Sequence, residues 1–161
     1  MIKKLLGAVL LVIVFSCSDI GEKKGASSNA ESILSARENM MEADRAFSKL
    51  SKEKGMKTAF IEYIDSNGVL LKPNERPIIG AEAIDYLSQL NDSTYILEWE
   101  PNDGMVAQSG ELGFTYGYYK LIPQAKDTTL YGTYVSVWRK QQDGNWKFVL
   151  DSGNEGISEE Q

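Results

Sequence analysis

Apolar residues recur along this chain with two different periods, and the change falls near Thr94. Upstream they return every three or four positions, as on the buried face of a helix. Ile33, Met40, Met41 and Phe47, with Leu50 at the edge, stripe one helix from about Asn29 to Lys54. Ser28-x-x-Glu31 has the form of a capping box at its start. Gly55, following Lys52 and Lys54, supplies a stop with cations at the negative helix end. A second helix is predicted from Met56 to Ile64, burying Met56, Ala59, Phe60, Tyr63 and Ile64, and Asp65-Ser66-Asn67-Gly68 ends it with turn residues. Val69 to Lys72 reads as a short strand, Pro73 to Pro77 as a loop and Ile78-Ile79 as another short strand. A third helix, Gly80 to Leu90, turns Ala83, Ile84, Leu87 and Leu90 inward.

From Thr94 onward the period is two. Tyr95, Leu97 and Trp99 share one strand face, and Glu98 and Glu100 share the other. Pro101-Asn102-Asp103-Gly104 reads as a turn, Met105 to Gln108 as a strand, and Ser109-Gly110 as the turn into a long strand. There Phe114, Tyr116 and Tyr118 oppose Gly113, Thr115 and Gly117, an alternation that implies sheet curvature or close backbone approach. Leu130 to Lys140 and Trp146 to Ser152 form a hairpin around Asp143-Gly144. Read as a two-residue turn, it pairs Trp138 with Val149 and Ser136 with Asp151, on one face with Tyr134; a bulge would shift these pairs. Helices followed by a meander of strands predict an α+β domain, helices covering one face of an antiparallel sheet.

The N-terminus follows neither period. Lys3 and Lys4 precede an apolar run from Leu5 to Phe15, and Ser16-Cys17 follows. This is the order of a secretory signal, too short for the ~20 apolar residues of a membrane span. Val14-Phe15-Ser16-Cys17 resembles a lipobox, which implies cleavage before Cys17, lipidation of that cysteine and a place in the cell envelope, facing the periplasm or the cell surface. The organisation is then signal peptide 1–16, flexible tether 17–29, folded domain 30–154 and acidic tail 155–161.

Charge narrows the chemistry. The net charge is −6, and removing residues 1–16 leaves 15 bases against 23 acids, a net of −8. Such a chain repels phosphate backbones, so no nucleic-acid partner is expected. There is no histidine, so any proton transfer must use carboxylates, tyrosines or lysines. No phosphate-cradling glycine loop, nucleophile elbow or metal-ligand spacing occurs, and neither metal nor cofactor is expected. At about 100° per residue, Asp44 falls inside the apolar stripe of the first helix, flanked by Met40, Met41 and Phe47. A carboxylate there is either hydrogen-bonded by backbone or a tyrosine, or lines a wet pocket.

Several motifs together resemble a known family. They are Asp44-Arg45-Ala46-Phe47, Glu53-Lys54-Gly55-Met56, Pro77-Ile78-Ile79-Gly80, Trp99-Glu100-Pro101, Ser109 to Gly117, Tyr134 to Lys140 and Asp143 to Lys147. The set resembles the domain of unknown function family 4440, related to SnoaL-like polyketide cyclases within the nuclear-transport-factor-2-like superfamily. The resemblance implies a cone-shaped fold, three N-terminal helices on a curved antiparallel sheet, and a homodimer through that sheet. It also implies a pocket between the first helix and the sheet, with Asp44, Trp99, Tyr116, Tyr134 and Asp151 as candidate lining. Three functions stay open. The pocket binds a small apolar or aromatic ligand, or it performs cofactor-free isomerisation, dehydration or cyclisation with a carboxylate and a tyrosine, or the domain serves protein interaction in an envelope complex.

Overall fold

The computed structural model describes residues 20–125 and 128–157, with the backbone alone for residues 20–28. The signal sequence, Cys17 and residues 158–161 lie outside the described residues. Helix α1 spans Ile20–Lys54, α2 Met56–Tyr63 and α3 Ala81–Gln89. The strands are β1 Ile64–Leu71, β2 Ile78–Ile79, β3 Tyr95–Val106, β4 Leu112–Pro123, β5 Leu130–Lys140 and β6 Trp146–Glu155. They form one sheet in the order β2-β1-β6-β5-β4-β3, antiparallel except where β1 runs parallel to β6.

Helix α1 starts earlier than its pattern predicts. It runs through Ser28, so Ser28 does not stand at the helix start, and the expected tether is helical from Ile20 onward. Serine in a helix interior costs only a fraction of a kcal/mol, and the neighbouring Ala, Glu and Lys residues favour the helix. Its buried side carries Ala36, Met40, Met41, Asp44, Phe47, Ser48 and Ser51. Gly55 ends it with a φ of 91°. Any side chain there would also meet Asp92, whose Oδ2 lies 2.6 Å from an ideal Cβ. That same oxygen accepts the backbone N–H of Lys57 at 2.7 Å and so caps α2.

The sheet's inner glycines admit the helix. A Cβ on Gly113 would sit 2.6 Å from Met40 Sδ, and one on Gly104 would sit 3.0 Å from Met41 Sδ. Close approach is therefore what the alternation of glycine and aromatic residues encodes. The opposite positions of β4, Phe114, Tyr116 and Tyr118, face outward. Behind the inner face lies an aromatic core. Phe47 packs edge-on to Trp99 and Phe60, with centroids 4.5 and 4.8 Å away, and stacks on Phe148 at 5.5 Å.

Two predicted turns are strand irregularities instead. Pro101 to Gly104 lies within β3, where the pairing with β4 slips between Pro101 and Asp103. β3 is an edge strand, and a proline beside a bulge there loses no ladder bond. Asp65 to Gly68 belongs to β1, where Asp65 accepts the backbone N–H of Asn67 at 2.9 Å. The β5–β6 hairpin pairs Ser136 with Asp151 as expected, yet Trp138 pairs with Phe148, not Val149. The loop holds three residues, because Gln141 N–H bonds Asn145 O and the positive-φ Gly144 bonds back to Gln141 O. That shifts the pairing by one, and an irregularity between Val137 and Trp138 shifts it back.

Candidate functional site

A cavity of about 280 Å³ lies between the helices and the inner face of the sheet. Phe47 of α1, Phe60 and Met56 of α2, and Tyr86, Leu87 and Leu90 around α3 cover it. Strands supply Leu70 from β1, Tyr95, Leu97 and Trp99 from β3, Tyr119 and Leu121 from β4, Tyr134 from β5 and Asp151 from β6. Buried Phe47, Leu87 and Tyr134 mark its floor, and exposed Pro73 and Glu155 mark its mouth. Asp151, Gly153 and Glu155 all line it, as alternate positions of one strand should. At ~3.3 Å per residue they track about 13 Å from floor to mouth. Opposite them, Tyr119 lies where a Cβ on Gly132 would stand, 2.4 Å from its ring, so this glycine lets the ring form the wall.

The five candidate lining residues divide. Trp99, Tyr134 and Asp151 line the cavity. Asp44 does not; it is completely buried behind Trp99 and Tyr134. Trp99 Nε1–H donates to its Oδ1 at 2.7 Å, and Tyr134 O–H donates to its Oδ2 at 2.8 Å. Thr115 donates a third bond, and the Thr115 oxygen in turn accepts Trp138 Nε1–H at 2.8 Å. Burial pushes the Asp44 carboxyl above its usual range, against these three donors, which favour the anion. Tyr116 is a correction. It is 46% exposed on the outer face, because Thr115, between Gly113 and Gly117, takes the inner one. Successive residues of a strand point to opposite faces, so with Thr115 inward Tyr116 must point outward.

Asp151 is the carboxylate that meets the cavity. It accepts Ser136 O–H at 2.6 Å, the cross-strand pair legible in the sequence. Burial pushes its carboxyl up to about 7; the Ser136 bond opposes this, and the nearby Asp44 charge adds to it. Burial and the Asp44 charge also hold Tyr134 well above the usual phenol range. Tyr134 has its proton committed to Asp44, so it is not free to donate to a guest. Asp44, lacking any exposure, is equally unable to reach one. At the mouth, Lys72 Nζ donates to Tyr86 O–H and lies 4.4 Å from the centre of that ring. The β3 alternation already placed Tyr95 inward; nothing in the sequence announced Lys72, Tyr86 or Glu155. Among the described residues no cluster of three or more His, Cys, Asp or Glu is placed to hold a metal ion.

No family model matches the chain, and no curated protein matches it. Solved structures do. A ketosteroid isomerase-like protein from Erwinia carotovora atroseptica superposes with a TM-score of 0.58 at 17% identity, over 74% of this chain and 95% of that one. A nuclear-transport-factor-2-like protein from Novosphingobium aromaticivorans gives 0.62 at 14% identity, over 86% and 90%. An epoxide hydrolase from M. tuberculosis gives 0.53 at 13%, over 74% and 84%. The shared property is the fold: helices packed on a curved six-stranded sheet, the nuclear-transport-factor-2-like cone.

Proposed function

We propose that this chain is a lipid-anchored envelope member of the domain of unknown function family 4440, and that its cavity binds a small, largely apolar ligand. The observation that carries the binding reading is the open cavity, about 280 Å³ of space between the helices and the sheet, walled by aromatic and aliphatic side chains with one carboxylate, Asp151, at depth. That is near the small end of ligand pockets, which run from ~300 Å³ upward with few polar groups. A domain serving only protein contacts has no reason to keep such a space unfilled, since a void forfeits packing energy.

The test is calorimetric titration with 1-naphthol of the wild type and of Gly153→Val. Gly153 lies in the cavity wall outside the left-handed region, so valine fits the strand and fills the space. Saturable one-to-one binding, lost in the variant while the far-ultraviolet circular dichroism stays the same, is the expected result. No binding to the wild type, or equal binding to both, defeats the reading.

A second reading, cofactor-free proton transfer, is favoured by Asp151 alone. A carboxyl held at about 7 in an apolar cavity accepts and donates protons at neutral pH. An isomerase-like pairing of Asp44 as base with a tyrosine donor has no support, because Asp44 is sealed behind Trp99 and Tyr134.

The anchor rests on the lipobox-like Val14-Phe15-Ser16-Cys17. Among the described residues no helix is long and apolar enough to cross a membrane. Cys17→Ser should move the protein from the membrane to the soluble fraction and abolish labelling by a fatty-acid analogue; unchanged fractionation defeats the anchor. A second copy of the chain is proposed as the occupant of the outer sheet face.

A further inference from the structure

We propose that the cavity's ligand is a hydrophobic amine, its ammonium group paired with Asp151 and its apolar body enclosed by the aromatic wall. The proposal rests on the reading of the cavity as a ligand site and names the chemical class it takes.

Among the described residues Asp151 has no cationic partner. Its one side-chain hydrogen bond is from Ser136, and among the described residues no lysine or arginine pairs with it. Every other carboxylate this deeply placed is fully served. Asp44 accepts three donors, Asp65 pairs with Arg139 at 2.6 Å and with Gln141, and Glu98 lies between Lys52 and Lys120. A partly desolvated carboxylate facing an open cavity is completed by a cationic guest.

The wall suits that cation. Trp99, Tyr95, Tyr119 and Phe47 present rings around the same space, and ring faces attract a desolvated ammonium. The one lysine of the wall does not compete for the guest's opposite charge, because Lys72 is held by Tyr86 and lies 3.7 Å from Glu75. The entry path is negative too. Glu155 stands at the mouth on the strand face that carries Asp151 at depth, and Gly153 between them leaves the track clear. The chain's net charge of −6 draws cations toward it.

The pairing carries a pH dependence. The titratable groups around the cavity are Lys72 from the end of β1, Tyr86 from α3, Tyr95 from β3, Tyr119 from β4, Tyr134 from β5 and Glu155 from β6, with Asp44 of α1 behind Tyr134. Burial raises Asp151 to about 7, so in mild acid an ammonium must displace its proton. Amine affinity should therefore fall about 30-fold between about pH 8.5 and pH 5.5, in proportion to the ionised fraction of Asp151.

The experiment is calorimetric titration of the full chain with tryptamine, with its neutral counterpart tryptophol and with the anionic indole-3-acetate, at both pH values, for wild type and Asp151→Asn. Tryptamine should bind the wild type at least about tenfold more tightly than tryptophol at the higher pH. That preference should vanish in mild acid and in Asp151→Asn, while the variant still binds tryptophol. Equal affinities, tighter binding of indole-3-acetate, or an amine preference that survives in Asp151→Asn each overturn the amine while leaving the cavity a ligand site. Failure of all three probes to bind the wild type overturns the amine and counts against the cavity reading itself.

Discussion

Two aspartates, both pressed toward the interior, have come to different states because of what surrounds them. Asp44 faces three donors and no solvent, and so acts as a hub that orients Trp99, Tyr134 and Thr115. Asp151 has one donor and a cavity, and its carboxyl is raised from 3.8 to about 7. A carboxyl raised on folding adds stability that is complete below the unfolded value and is lost as pH rises through the folded one. Asp151 should therefore cost the fold on the order of 4 kcal/mol by about pH 8, and nothing near pH 3. Asp151→Asn keeps a carbonyl for the Ser136 bond and removes that cost. Thermal melting should show the variant several degrees more stable at the higher pH and nearly level with the wild type at the lower. An equal difference at both would mean Asp151 ionises freely. Such a costly group at the proposed ligand site fits a common trade of stability for function. Asp44 was legible as an inward carboxylate from helical spacing, and Asp151 from its pairing with Ser136. Which of them meets the cavity was not, because that depends on Trp99 and Tyr134 arriving from two other strands.

Among the elements, α1 and β3 depend on each other. β3 is an edge strand with unpaired backbone groups, which natural sheets protect. Ser48 of α1 protects both groups of one residue, donating to Trp99 O at 2.6 Å and accepting Trp99 N–H at 2.8 Å. Ser51 donates to Leu97 O at 2.7 Å. These contacts also set the height of Trp99 and so the cavity wall. Ser48→Ala should cost roughly 1–3 kcal/mol by leaving both Trp99 groups unpaired, measured as a lowered midpoint in urea at unchanged slope. A loss under half a kcal/mol would mean that water replaces the hydroxyl. Helical spacing puts Ser51 on the side of Asp44, but nothing in the pattern singled out Ser48, since a hydroxyl on the apolar border looks like a tolerated small residue. The hairpin register was half legible for a similar reason. Turn residues announced the turn, but its loop length and the compensating bulge follow from how Trp138 and Phe148 pack in the core.

At the level of the molecule, the outer face of the sheet remains to be covered. Met105, Phe114, Tyr116 and Tyr118 are exposed there, Met105 by 63% and Tyr118 by 53%, and Met105 pairs with Phe114 across β3 and β4. Apolar side chains contiguous on one sheet face fit the proposed second copy, whose interface would need about 800 Å² from each partner. Sedimentation should give a dimer that Tyr116→Asp converts to a folded monomer. A wild-type monomer at concentrations of tens of micromolar, roughly −6 to −7 kcal/mol of association, would remove the homodimer.

What the sequence determined by itself is the set of elements and their faces. The switch of period near Thr94 separates the helix-bearing half from the long strands β3 to β6, the glycines of β4 mark where α1 lies close, and the motifs resemble those of a family with the cone fold. These are local properties, carried by residues a few positions apart. The tertiary structure alone decided which side of β4 turns inward, which strand irregularities replace turns, and which aspartate opens to the cavity. Each is settled by partners far apart in the chain, since whether a carboxylate is sealed or open depends on side chains from several strands at once. Asp44 and Tyr134 stand 90 positions apart along the chain and meet at 2.8 Å.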